Sequence, residues 1–209
     1  MMRFEKWAVV IGRFVVLSLV FLGVGCLGKT PPVQYYVLSD RPAIPAITND
    51  AKRDYKGDFS IGVGPVEIPE ILDRSQIVTR TGANRVEVAE FHRWGGSLKK
   101  EITETIVANL ARLLGNYRIY SFPWRNLPEP DYRIILTIHQ FDGHPGESVF
   151  LDVSWAIFNL SEKKTLAGKR SALNLSVQGT DYAGYVATQS RALSALSGEI
   201  AMAVQEIRR

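Results

Sequence analysis

The clearest pattern along this chain is the alternation of apolar and polar residues in its second half. In residues 149–157 every second position is apolar, and residues 132–138 show the same period. A period of two predicts strands that bury one face. Because turn-forming residues 143–146 separate these two segments, we expect them to pair as antiparallel neighbours, and we expect residues 165–177 to form a third strand.

Two segments have the spacing of amphipathic helices. In residues 97–114, leucine and isoleucine recur at every third or fourth position, which places them on one helix face. Ser97 is a residue type that caps helix starts, and Gly115 is one that ends helices. Residues 181–207 carry a second apolar stripe with interspersed alanines, which allow close approach to a sheet or to another helix.

Shorter stretches rich in β-branched and aromatic residues predict five further strands, at residues 34–38, 58–69, 76–81, 85–88 and 117–122. Residues 82–84 predict a hairpin turn between the third and fourth of these strands, and residues 40–57 predict a loop. The order of elements predicts an α/β (α+β) sandwich, in which two helices pack on one face of a mostly antiparallel sheet.

The amino terminus is organised like an export signal. Positive charges in residues 1–13 precede an apolar run at residues 14–22, which is shorter than the roughly 20 residues of an ordinary transmembrane helix. Small residues then lead to Cys26, and this segment resembles the lipobox of bacterial lipoproteins. The resemblance implies that the Cys26 thiol carries lipid.

Two residues beside Cys26 refine this interpretation. Gly23 stands where most lipoboxes have leucine, so an uncleaved signal anchor with an incidental cysteine is the alternative. Leu27 stands where aspartate commonly signals inner-membrane retention, which favours the outer membrane. We therefore expect a lipoprotein signal peptide at residues 1–25, a lipidated tether at residues 26–33, and a single periplasmic α/β domain at residues 34–209.

Charge and cysteine content argue against a nucleic-acid partner and against an internal disulfide. The sequence pI is about 9.2 and the formal net charge is +4. Removing residues 1–25 takes away three basic residues and one acidic residue, which leaves a net charge of +2. Without a dense basic run, nucleic acid is not an expected partner. The single cysteine rules out a disulfide within the chain.

Catalytic signatures are missing from the sequence. It has no HExxH, GxSxG, Walker or CxxC motif, and the spacing of His92, His139 and His144 does not indicate a metal site. We therefore expect no catalytic residues, no metal, no cofactor and no enzyme activity. A periplasmic hydrolase is an alternative that would require a convergent polar site in a cleft.

Residues 64–96 mix apolar and basic side chains without a clean period. Arginine and tryptophan are enriched at the centres of protein interfaces, which favours a partner-binding surface. The candidate partner-binding residues are Arg74, Gln76, Ile77, Arg80, Arg93 and Trp94. The alternative, which is compatible with the first interpretation, is a folded-over hairpin whose isoleucine and leucine residues join the core.

Several of these segments carry a family resemblance. The residues concerned are Tyr35–Leu38 after Cys26, the sequence GPVEIP at residues 64–69, Leu72–Arg74, residues 76–80, Arg93–Gly95, and Asp181 with Tyr182. In this order they resemble the PqiC family, the auxiliary lipoproteins of ABC-type and MCE-protein transport systems. The likeness runs over nearly all of residues 26–209.

The resemblance implies an outer-membrane lipoprotein that faces the periplasm. It implies a homo-oligomeric ring that docks on the tunnel of an MCE-domain protein, in a system that moves lipids or other hydrophobic molecules. It carries over no catalytic residues. A stand-alone periplasmic lipid-binding lipoprotein is the alternative, and it would require a deep apolar cavity in the monomer.

Overall fold

The computed structural model describes residues 30–40, 59–115, 118–124 and 127–208. The chain divides into two compact units, Met1–Pro32 and Val33–Arg209, and every helix and strand of the described residues lies in the second. The predicted signal peptide, Cys26 and most of the predicted loop at residues 40–57 lie outside the described residues. No helix of the described residues is both long and apolar enough to cross a membrane.

The described residues of the second unit form two helices and eight strands. In chain order these are β1 (Gln34–Tyr36), β2 (Ile61–Glu67), β3 (Gln76–Gly82), β4 (Arg85–Trp94), α1 (Leu98–Leu114), β5 (Ile119–Ser121), β6 (Tyr132–His144), β7 (Ser148–Asn159), β8 (Lys164–Ser176) and α2 (Tyr182–Ile207). A single 3-10 turn, Glu70–Leu72, precedes β3. The predicted class, an α+β fold with two helices, is confirmed.

The strands form two sheets rather than the single sheet that we expected. One has five strands in the order β5-β2-β6-β7-β8, and the other has three in the order β1-β4-β3. The predicted hairpins β3–β4 and β6–β7 are present, and β7–β8 is also antiparallel. However, β2 runs parallel to both β5 and β6, and β1 runs parallel to β4. Parallel neighbours need a crossover connection, which the β3–β4 hairpin and α1 supply between β2 and β5.

Strand β4 extends further than the predicted residues 85–88. Its pairing with β3 shifts between Val88 and Arg93, because Gln76 and Val78 on β3 oppose Arg93 and Val88 on β4. Two residue steps along β3 therefore lie opposite five residue steps along β4. Such a bulge interrupts the period of two, so alternation alone cannot follow the strand to its end at Trp94.

Both helices pack against the five-stranded sheet and against each other. The apolar stripe of α1 is fully buried at Ile102, Ile106 and Leu110, and that of α2 at Leu193, Leu196 and Ile200. The small side chains Ala192 and Ala201 are buried too, which permits the predicted close approach. The first turns of α2 also reach the three-stranded sheet, where the Tyr185 hydroxyl donates a hydrogen bond to the Val78 carbonyl at 3.3 Å.

The carboxyl end of α1 has the cap that the sequence predicts, and its amino end does not. Gly115 ends α1 in the left-handed conformation with φ 61°, and its N–H donates to the Ala111 carbonyl. The Ser97 side chain makes no capping hydrogen bond, contrary to our expectation. Glu101, in the first turn of α1, instead accepts the N–H of Leu38 at 2.9 Å. In α2, Asp181 caps the start by accepting the Gly184 N–H at 2.8 Å.

An ion pair connects the two sheets. Arg80 on β3 donates from Nε to Asp142 Oδ1 at 3.0 Å and from Nη2 to Asp142 Oδ2 at 2.8 Å. Asp142 lies on β6 with only 4% of its side chain exposed, and Gln140 donates a further hydrogen bond to it. A buried carboxylate is stable only when it is paired and hydrogen-bonded, so Arg80 holds the sheets together at this point.

Replacing Arg80 by alanine should lower the free energy of unfolding by about 2 kcal/mol, because it leaves the buried Asp142 carboxylate without its charged donor. Chemical denaturation would measure the loss. Arg170→Ala is the matched control, since Arg170 also forms a two-bonded pair with a carboxylate, Asp152, but is exposed. Its effect should be markedly smaller. Equal losses in the two variants would contradict the role of Arg80 as the link between the sheets.

Candidate interaction surfaces

The six predicted partner-binding residues do not share one environment. Ile77 is fully buried and Trp94 is 4% exposed, so both belong to the hydrophobic core. Because these two side chains have almost no accessible area to bury against a partner, we no longer assign them to a docking surface. Ile77 is among the isoleucine and leucine residues that the alternative places in the core. Arg80 is bound to Asp142.

The remaining three residues lie at the surface of the three-stranded sheet. Arg74 is exposed, just before β3, and Gln76 and Arg93 are partly exposed. Strand pairing places Gln76 opposite Arg93, and Arg93 opposite Tyr35 on β1. Residues that pair directly project from the same face of a sheet. Tyr35, Arg93 and Gln76 therefore form a row across all three strands.

Strand β1 carries apolar residues on both of its faces. Tyr36 and Leu38 pack against the core. Val33, Tyr35 and Val37 alternate with them and are 37%, 67% and 64% exposed. We call these three residues the β1 stripe. The strand was predicted from the sequence and the stripe was not, although a strand that is apolar on both faces is typical of one covered on both sides.

Backbone hydrogen bonds from three elements hold β1 in place. The Gly95 N–H, just after β4, donates to the Tyr36 carbonyl at 2.7 Å. The Leu38 N–H donates to Glu101 Oε2 on α1 at 2.9 Å, and the Ser39 N–H donates to Ser190 Oγ on α2 at 3.1 Å. Burial raises the pKa of the Glu101 carboxyl, although the N–H groups of Leu38 and Gly96 oppose this shift.

The core side of β1 is an aromatic cluster. The His92 ring stacks on Tyr182 with centroids 3.8 Å apart, and His92 Nδ1 lies 2.8 Å from the Tyr36 hydroxyl. That hydroxyl also donates to Gln34 Oε1 at 2.6 Å. Burial raises the pKa of the Tyr36 hydroxyl, and the nearby Asp181 carboxylate contributes to the shift. His92 is thus a packing residue that fastens β1 to β4 and α2.

The side chains of the other two histidines, His139 and His144, form hydrogen bonds with nearby groups. His139 hydrogen-bonds with Ser154 Oγ on the neighbouring strand, and His144 with the Pro145 carbonyl. Within residues 30–40, 59–115, 118–124 and 127–208, no three His, Cys, Asp or Glu side chains come together in a group that could hold a metal ion.

A second surface feature is an open apolar groove of about 530 Å³ beside the edge strand β5. The residues that line it are Val107, Ile119, Tyr120, Ser121, Pro123, Trp124 and Leu127. Leu127 is 47% exposed, and the adjoining Phe122 is 48% exposed. We call this feature the β5 groove. Its volume lies within the range of about 300–1,000 Å³ that is typical of small-molecule sites.

Comparisons with solved structures show that this fold occurs elsewhere. A crystal structure of an uncharacterized protein superposes with a TM-score of 0.66 at 20% identity, covering 83% of this chain and 99% of the other. A crystal structure of a protein from Xanthomonas campestris gives a TM-score of 0.65 at 14% identity, covering 83% and 98%. At these identities the likeness concerns the fold alone. No curated protein matches the sequence.

The sequence itself matches a family model over most of its length. That model, described as the ABC-type transport auxiliary lipoprotein component, covers residues 36–201. The matched region begins within β1 and ends within the last turns of α2, so it includes both sheets and both helices. The resemblance found in the sequence is confirmed, and the chain belongs to the family of ABC-type transport auxiliary lipoproteins.

Proposed function

We propose that this protein is a non-enzymatic auxiliary component of an MCE/ABC-type system that moves lipids between membranes. Lipid on Cys26 anchors it to the periplasmic face of the outer membrane, and a homo-oligomeric ring of subunits docks on the tunnel of an MCE-domain protein. The observation that carries this proposal is the family match over residues 36–201. The signal-like amino terminus before Cys26 supports the anchor.

Lipidation would make the anchor effectively permanent. Each buried methylene contributes about 0.8 kcal/mol, and one acyl chain alone binds a membrane only marginally. A fully modified lipoprotein cysteine carries several chains, so their contributions combine. The thiol of Cys26 is the only one in the chain that can accept them.

We place the protein contact on the β3 side of the three-stranded sheet. Arg74, Gln76 and Arg93 offer polar and charged groups there. A ring requires an interface in which different surfaces of neighbouring subunits meet, and this surface is not self-complementary in charge.

One observation favours the alternative function, a stand-alone lipid-binding lipoprotein. The β5 groove has the volume of a ligand site, and apolar side chains line it together with polar groups. It is open to solvent along the sheet edge, whereas a carrier that takes a lipid through water must cover most of the apolar surface of that lipid. The openness of the groove is the reason why we rank this function second.

Changing Cys26 to serine should release the protein from membranes, because the thioether to the lipid can no longer form. Membrane fractionation would show the wild type in the outer-membrane fraction and the variant in the soluble periplasmic fraction. Intact-mass measurement should show added acyl mass in the wild type alone. A membrane-bound variant of unchanged mobility would contradict lipidation at Cys26.

Replacing Arg74, Gln76 and Arg93 together by alanine should reduce co-purification of the MCE-domain protein at least about tenfold, since interface arginines often contribute 2 kcal/mol or more. Affinity capture from detergent-solubilised membranes would measure the recovery. Arg85→Ala is the matched control, because Arg85 is exposed on the same sheet at the far end of β4. Undiminished recovery with the triple variant would count against this surface.

The two functions differ in what the purified protein carries. As a docking component, the protein should contain far less than one phospholipid per subunit after purification, which extraction and mass spectrometry would quantify. Near-stoichiometric phospholipid that disappears in Leu127→Arg would favour the carrier instead, because a charge in the β5 groove excludes an acyl chain. Met202→Arg, at an exposed position on α2, is the control for added charge.

A further inference from the structure

Exposed apolar side chains of this protein are concentrated at the β1 stripe. The described residues include eight large hydrophobic side chains that are exposed, and three of them are Val33, Tyr35 and Val37. Single exposed apolar residues are ordinary on soluble proteins, whereas contiguous patches mark contact surfaces. Tyr35 lies within β1, and Val33 and Val37 flank the strand at alternate positions of the chain. The stripe is therefore a candidate contact surface.

The chain length between Cys26 and the stripe limits where this occupant can be. Cys26 precedes Val33 by seven residues in the sequence, and an extended chain spans at most about 3.6 Å per residue. Val33, the nearest residue of the stripe, therefore lies no further than about 25 Å from the backbone of the lipid-bearing residue, and Val37, eleven residues after Cys26, no further than about 40 Å. The β5 groove is not restricted in this way, since about ninety residues separate it from Cys26 along the chain.

The chemistry of the stripe fits the headgroup region of a bilayer. Tyrosine is enriched at membrane surfaces, because its ring prefers apolar surroundings and its hydroxyl prefers water. Tyr35 stands between two valines, which can enter the boundary of the acyl chains. Residues 30–38 contain no acidic side chain that would be repelled by anionic lipids.

The stripe is also held rigidly. Three hydrogen bonds fix the backbone from Tyr36 to Ser39. Gly95 donates one of them, and Glu101 and Ser190 accept the other two. Contact with a bilayer would therefore not have to order this segment, which removes one of the usual entropic costs of binding.

From these observations we propose that the β1 stripe is a second membrane contact, which lies against the phospholipid headgroups of the leaflet that holds the Cys26 lipid. This inference rests on the proposed lipidation. The anchor supplies the affinity, and the stripe sets the orientation by turning the face of β1 that carries Tyr35 toward the bilayer.

The test uses full-length lipidated protein in vesicles of phosphatidylethanolamine and phosphatidylglycerol. Three variants, Tyr35→Cys, Val37→Cys and Met202→Cys, each carry a polarity-sensitive fluorophore on the new thiol, since lipid blocks Cys26. Met202 is the control, at 58% exposure on α2. We expect blue-shifted emission at positions 35 and 37 and several-fold stronger quenching there by headgroup-labelled lipids. Aqueous iodide should quench position 202 more strongly.

Three results would overturn the inference, and each has its own meaning. Vesicle-bound protein with equal, water-like emission at all three positions shows that the stripe does not touch lipid, while the Cys26 anchor stands. A blue shift without vesicles in the matching Cys26→Ser proteins, rising with protein concentration, shows that a second copy covers the stripe. Protein that does not associate with vesicles at all contradicts the proposed anchor and this contact with it.

Discussion

The attachment of β1 to the rest of the domain is the constraint on which the functional geometry depends. Three elements distant in sequence hold this strand and the residues that follow it: the end of β4 through Gly95, α1 through Glu101, and α2 through Ser190. The stack of His92 on Tyr182 packs beneath it. Because each contact comes from a different element, the position of β1 is a property of the whole fold rather than of a local loop.

The second organising feature is the junction between the two sheets. Arg80 and Asp142 join β3 to β6, and Tyr185 from α2 reaches the carbonyl of Val78. Together they fix the three-stranded sheet, which carries the stripe and the proposed partner surface, relative to the larger sheet that supplies most of the core. A family that acts in transport assemblies needs such fixed relations, because a docking surface on a loose sheet would lose affinity to conformational entropy.

Local signals predicted the local structure well. The period of two in β7 and the spacing of leucine and isoleucine in α1 depend on neighbours a few residues apart, and Gly115 needs only its own backbone conformation. Non-local features were out of reach. The division into two sheets and the parallel pairing of β2 depend on which strands meet in space, and the burial of Ile77 and Trp94 depends on what covers them. The exposed stripe could have been suspected from the apolar residues on both faces of residues 33–38. Identifying it required knowing which of the two faces the core covers.

The parallel pairing of β1 with β4 has a mechanical consequence. A pull on the tether along the axis of β1 would try to slide the strand past its neighbour, which loads the Gly95, Glu101 and Ser190 bonds in shear, all at once. A pull perpendicular to that axis would peel the same bonds apart one after another, at lower force. The domain would thus bear load best when the pull runs along the first strand.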